Sequence, residues 1–262
     1  ILIAQRWETL NSVTRILITL GSAIAAYLIG AVMNGSTNVA KIGQIFFAIS
    51  GVLMPIGIGA TLNELGFEYS AAAAQSMISG AVLALYALSS VVFRRDLFLL
   101  FTILFGTWFY YSFATYLIGD HPIFDEFRFY SYLTFAAGAA YLALGYFSAS
   151  RAKAGFGSRL YTLGSCATLG ASFALGGWKP EQNLFWELAF PFIALGFIFL
   201  SIQTRSRAFL TFGALGLMAY VIKITAEYFY ESLGWELSLI IGGLVLIAIG
   251  YISFRLKKRY IS

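Results

Sequence analysis

Nine stretches of mostly apolar residues follow one another along this chain, each near the length of about 20 residues that a helix needs to cross a bilayer. They occupy 16–33, 42–62, 71–93, 97–118, 130–149, 160–176, 184–202, 208–230 and 237–254, with short charged connections between them. In hydrocarbon a backbone polar group has no water to bond to, so a crossing segment must satisfy its own N–H and C=O groups as a helix or join a closed barrel. A barrel would show alternating segments of about ten residues, and no such alternation occurs. Hydrophobic residues make up 60% of the 262 and charged residues 11%, with a mean hydropathy of +0.80. That leaves too little charge to clothe a water-facing surface. The expectation is an all-α, polytopic transmembrane helix bundle of about nine spans with short loops, forming a single domain over 1–262.

Charge in the connections alternates. Lys41, Arg94, Arg95, Arg151, Lys153, Arg159, Arg205, Arg207, Arg255, Lys257, Lys258 and Arg259 all follow odd-numbered spans, whereas the opposite loops hold only Arg6, Arg15, Arg128 and Lys179. Basic loops stay in the cytoplasm, so the C-terminus is expected there and the protein in the plasma membrane, the inner one of a bacterium. Glu64, Glu68, Asp120, Asp125, Glu126, Glu181, Glu231 and Glu236 lie in the opposite set of loops. Trp7, Trp108, Trp178, Trp186 and Trp235, with Tyr228 and Tyr230, are expected to form one aromatic belt at the outer face. The opening Ile1-Leu2-Ile3-Ala4 reads as the end of a further span, so the sequence is expected to be a fragment lacking an upstream part, with a cleaved signal peptide as the alternative.

Lipid tails do not drive apolar helices together, so small residues must let backbones approach. Ser22, Ala26 and Gly30 in span 1, and Ser76, Gly80 and Ala84 in span 3, are spaced to form such faces. Span 6 carries Gly164, Ser165, Cys166, Ala167, Gly170, Ala171 and Ser172 and is expected near the centre of the bundle, with Cys166 one more small packing residue. Basic residues recur before spans 2, 4, 6 and 8, the cadence of a two-helix unit, though the positive-inside rule alone accounts for it.

Ionisable residues within a span are the default pointers to function. Lys223 lies inside span 8, Glu227 one turn further on the same face, and Glu187 at a similar depth in span 7. These three are the candidate binding residues, against the alternative of a structural ion pair at the membrane boundary. Pro55 and Pro191 remove a backbone donor each and are expected to kink spans 2 and 7. The aromatic run Trp108-Phe109-Tyr110-Tyr111 with Phe113 and Tyr116 reads as an interfacial anchor, with an aromatic-lined groove as the second reading. A retinal lysine is disfavoured because such a bundle has seven helices, and His121 with Asp120, Asp125 and Glu126 reads as a solvated turn. One Cys excludes an internal disulfide and one His a multi-histidine metal centre. No phosphate-binding Gly-Lys-Ser/Thr loop, His-Glu-x-x-His or Gly-x-Ser-x-Gly occurs. Neither a catalytic set, a cofactor, a metal nor a nucleic-acid partner is expected. Arg255-Leu256-Lys257-Lys258-Arg259 is a stop-transfer cluster suited to anionic headgroups.

The closing stretch runs from Arg205-Ser206-Arg207 through Leu233-Gly234-Trp235 and Gly242-Gly243-Leu244-Val245-Leu246 to the basic tail. It resembles a family of bacterial integral membrane proteins of unknown function, in which a soluble N-terminal region precedes a polytopic helical domain. The resemblance implies the missing upstream part and no catalytic residues. The sequence therefore points to a membrane protein without catalytic activity, a scaffold or accessory subunit packing against lipids and other membrane protein subunits. The alternative is a compact secondary transporter or lipid flippase with its polar site near Lys223.

Overall fold

The computed structural model describes residues 10–34, 40–66, 70–118, 126–150, 154–229 and 235–256. Among these residues there are nine helices and no strand. We number them α1 (Ser12–Asn34), α2 (Ala40–Glu64), α3 (Ala71–Phe93), α4 (Asp96–Ile118), α5 (Glu126–Ser150), α6 (Ala154–Gly176), α7 (Leu184–Thr204), α8 (Arg207–Ile224) and α9 (Trp235–Leu256). Two segments widen into π turns, Leu17–Gly21 within α1 and Thr225–Phe229 at the end of α8. Every expected span falls within one of these helices except for Tyr230, which lies outside the described residues.

Six helices are long and apolar enough to cross a membrane: α1 to α4, α7, and α8 with its π turn as far as Glu227. α9 is apolar over most of Trp235–Leu256, and Gly242–Ile252 is its apolar run among the residues whose side chains are described. α5 and α6 fall short because tyrosine, serine, threonine and glycine lower their hydropathy. Several of their hydroxyls nevertheless turn inward to the helix backbone, whereas Ser165 Oγ and Thr168 Oγ1 of α6 are buried with no hydrogen-bond partner among the described residues. Ser131 Oγ donates to the Phe127 carbonyl at 2.8 Å, Thr134 Oγ1 to Tyr130 at 2.7 Å and Ser172 Oγ to Thr168 at 2.8 Å. Such back-bonding removes much of the cost of placing a hydroxyl among apolar groups.

The chain divides into two compact units, 1–121 and 122–262. The first is built from two antiparallel hairpins whose register is set by close backbone approaches. A Cβ on Gly30 would lie 3.0 Å from the Gly43 carbonyl oxygen, and one on Gly57 2.7 Å from Leu20 Cα. Arg15 at the start of α1 then meets Glu64 at the end of α2 at 2.7 Å. In the second hairpin Gly80 receives the Phe109 ring, and Ser79 and Ser112 share a hydrogen bond of 3.1 Å. Between the hairpins lies an aromatic core. Phe47 and Phe98 meet edge to face at 4.7 Å, while Tyr86 packs 4.9 Å from Phe101 and stacks 5.6 Å from Phe105. The Phe101 ring fits because residue 51 is glycine; a Cβ there would come within 2.6 Å of it. The Tyr86 hydroxyl donates to Ser50 Oγ at 3.3 Å, so its polar end is also satisfied.

Two expected packing faces hold only in part: Ala26, Gly30 and Ser76 are buried as expected, and each face departs from the pattern at one end. In α1 the buried positions are Ala23, Ala26 and Gly30, and Ser22 is exposed. In α3 they are Ser76, Ser79, Val82, Tyr86 and Ser89, with Ala84 exposed. Strict four-residue spacing outruns the 3.6-residue turn, so a face continues only by mixing steps of three and four. Trp108 also departs from the belt: it lies mid-helix in α4 and packs on Phe105 at 6.3 Å, inside the aromatic core. Trp7 and the side chain of Trp235 lie outside the described residues.

The second unit repeats the hairpin logic. Gly138 and Gly164 let α5 and α6 touch, and a Cβ on Gly138 would fall 2.7 Å from the Thr168 nitrogen. Gly213 does the same between α8 and α7, facing the Ala194 carbonyl oxygen. α6 packs against α5, α7 and α8, which makes it the central helix of this unit. Its inner face carries Gly164, Ser165, Thr168, Leu169, Ala171 and Ser172, while Cys166 and Gly170 lie on the exposed face. Cys166 is therefore not a packing residue within the unit.

Gly57→Ala is expected to cost about 1–3 kcal/mol, because its new methyl meets Leu20 backbone that cannot yield. Gly243→Ala, where no atom lies within 4 Å, is the control and is expected to leave stability unchanged. Unfolding midpoints in detergent check both, and equal midpoints for the two variants would contradict the close approach.

Candidate functional site

Three helix ends of the second unit meet around one buried ammonium. α6 stops at Gly176, and Gly177 turns the chain with a φ of +64°, a conformation that favours glycine. The Asn183 N–H returns to the Gly176 carbonyl at 2.9 Å. Asn183 then caps α7, its Oδ1 accepting from the Phe185 N–H at 3.1 Å. This fixes Glu187 in the first turn of α7, where the positive end of the helix dipole favours a carboxylate. Lys223 lies in the last turn of α8, where a cation is favoured, and Glu227 follows within the π turn. Single-turn π segments occur frequently at functional sites.

The three residues singled out in the sequence are brought together. Lys223 Nζ lies 3.8 Å from Glu187 Oε1 and 3.9 Å from Glu227 Oε2. Their side chains are 2%, 3% and 5% exposed respectively. Both separations suit an ion pair and exceed a hydrogen bond. Glu227 Oε1 accepts from the backbone N–H of Lys179 at 3.2 Å, and the Lys179 ammonium donates to the Glu227 carbonyl at 3.3 Å. Neither oxygen of Glu187, nor Oε2 of Glu227, has a hydrogen-bond donor among the described residues.

Sequence reasoning missed the rest of the pocket. The Lys223 ammonium lies 5.9 Å from the centre of the Phe173 ring and 6.0 Å from that of Trp178, both within cation–π range. Phe173 in turn packs edge to face on Phe190 at 5.3 Å, so the charged cluster caps the aromatic core of this unit. Gly176 leaves room for the ammonium; a Cβ there would sit 3.5 Å from Nζ. The adjacent glycines before Trp178 were the available signal for a tight turn at this spot. Pro191 lies within α7 and lacks the N–H that a regular helix directs at the Glu187 carbonyl, which ties the proline to the site. Pro55 lies within α2 of the other unit. Among the described residues no three His, Cys, Asp or Glu side chains gather as a metal-binding set.

The arrangement can hold charge in a dry setting. An ammonium between two carboxylates and two ring faces is stabilised by each, and removing it would leave two uncompensated carboxylates. No family model, curated protein or solved structure matches this chain.

Lys223→Met is expected to cost about 3–5 kcal/mol, and adding Glu187→Gln and Glu227→Gln to recover most of it, since the triple variant leaves no buried charge. Unfolding in a mildly alkaline detergent buffer measures this. Wild-type stability in Lys223→Met would show that the ammonium does not hold the carboxylates.

Proposed function

We propose that the chain is an integral membrane protein of the plasma, or bacterial inner, membrane, crossing it nine times with its C-terminus in the cytoplasm. In this reading it catalyses no reaction and acts as a scaffold or accessory subunit, packing against lipids and other membrane protein subunits. The observation that carries it is the direction of the large apolar side chains. Val32 is 80% exposed and Phe192 73%, and Leu17, Phe199 and Ile247 also face outward, whereas each unit is close-packed inside. Exposed apolar surface on this scale would aggregate in water and is solvated by lipid or covered by a partner.

Support for counting α5, α6 and α9 as spans comes from their packing. α5 and α6 lie antiparallel along much of their length, and α6 lies against α7 and α8, which are apolar enough to cross alone. α9 runs antiparallel to α8, with Gly242 against Thr225 and Gly250 near Met218. Helices packed side by side with true spans share their depth. The basic residues at the ends of these hairpins give the orientation.

A second reading, a compact secondary transporter or lipid flippase, is favoured by the Lys223 cluster, because buried ionisable groups within spans mark ion and substrate paths in many membrane proteins. One experiment separates the two. The chain is extracted from its native membrane in polymer-bounded lipid discs and weighed intact by native mass spectrometry. The scaffold reading expects a partner protein at fixed stoichiometry, retained by a folded Glu187→Gln variant. A chain recovered with lipid alone, and moving lipid analogues across reconstituted vesicles in a Lys223-dependent way, would overturn it in favour of transport.

A further inference from the structure

The charges of the Lys223 cluster do not balance. Two carboxylates and one ammonium lie within 4 Å contacts, each of these three side chains at least nine-tenths buried, leaving one negative charge over among them. Among the described residues no further positive charge lies within ion-pair distance of Glu187. The Lys179 ammonium lies on the exposed turn and serves the Glu227 carbonyl, while its backbone N–H serves Glu227 Oε1. Glu181, in the same turn, gives its carbonyl to Arg128 of α5 at 3.4 Å, so that guanidinium is engaged there. α6 offers only the Phe173 ring and Gly176, and α9 approaches the π turn through Gly242 against Thr225. Glu187 thus keeps two buried oxygens with no donor among the described residues, facing one ammonium that it shares. A buried carboxylate without hydrogen bonds is costly, and one further positive charge removes that cost.

We propose that this pocket binds one exchangeable monovalent cation, a proton or a sodium ion, at the Glu187 carboxylate. The charge selects the valence: a single positive charge brings the cluster to neutrality, and a divalent ion would overshoot. Lys223 then pairs with Glu227 and the two rings, while Glu187 carries the added charge. A proton would make Glu187 a neutral acid with an O–H to donate. A sodium ion would take the two carboxylate oxygens together with the Glu187 carbonyl, for which Pro191 provides no N–H. The inference concerns the pocket alone and holds whether the chain scaffolds or transports.

The full chain in nanodiscs of neutral lipid tests it. Thermal unfolding is followed while sodium replaces choline at fixed alkaline pH, and again while pH is lowered in choline alone. A ligand bound only by the folded state raises the folded-to-unfolded ratio tenfold for each tenfold rise above its Kd. Wild type is expected to show that response to one of the two cations, and Glu187→Gln, an uncharged isostere, to lack it. A response to protons only identifies a proton; a response to sodium, weakened by protons, identifies sodium. Equal behaviour of wild type and Glu187→Gln toward both overturns the proposal. Should Glu187→Gln fail to fold, wild type decides alone. Stoichiometric radioactive sodium binding, or a carboxylic-acid carbonyl stretch that shifts in D2O, supports the site; neither signal overturns it.

Discussion

In a bilayer a polar group must find its partner within the chain, and the architecture follows from that constraint. Backbone groups are satisfied by continuous helix. Many serine and threonine hydroxyls of α3 to α7 turn back to carbonyls three or four residues earlier, as Ser79, Thr102, Thr107, Ser131 and Ser201 do, and Ser165 and Thr168 of α6 are buried exceptions. Hydroxyls also reach a neighbouring helix, Tyr27 to Ser89 at 2.6 Å, Ser79 to Ser112 at 3.1 Å and Tyr86 to Ser50 at 3.3 Å. Since lipid does not force helices together, cohesion rests on glycine contacts and interlocked rings. Lys223, Glu187 and Glu227 are where this rule is most strained, because three ionisable groups there share too few hydrogen bonds.

The helices were legible because apolar runs of spanning length leave little freedom. Their boundaries were legible because the charged connections interrupt the apolar runs, while the caps at Asn183 and Ser70 emerged only in the structure. Which face packs was less so. Ser22 and Ala84 were placed inward by a four-residue spacing that a real turn does not keep, and the π turn at Leu17–Gly21 adds a register change no pattern announces. Trp108 illustrates a related limit: an indole suits an interface and an aromatic core equally well, and neighbours such as Phe105 decide between them. Hydropathy also separates the six helices that qualify among the described residues from α5 and α6, whose polar residues lower it.

The candidate site was legible as a list of residues, because a lysine and two glutamates inside apolar runs stand out by cost alone. Its geometry was not. Lys223 and Glu227 share a helix face, but the approach of Glu187 depends on the turn through Gly177 and on Asn183 starting α7 where it does. Phe173 and Trp178 gave no advance sign, since rings next to a cation look in sequence like any others in an aromatic-rich chain.

The central claim is that α5 and α6 cross the membrane as a hairpin despite their moderate hydropathy. Labelling with a membrane-impermeant maleimide tests it most directly, in intact cells carrying single cysteines at Ala152 or Glu181 and with Cys166 replaced by alanine. Nine crossings place Glu181→Cys within reach from outside and Ala152→Cys within reach only after the cells are opened. Labelling of Ala152→Cys from outside would contradict the account.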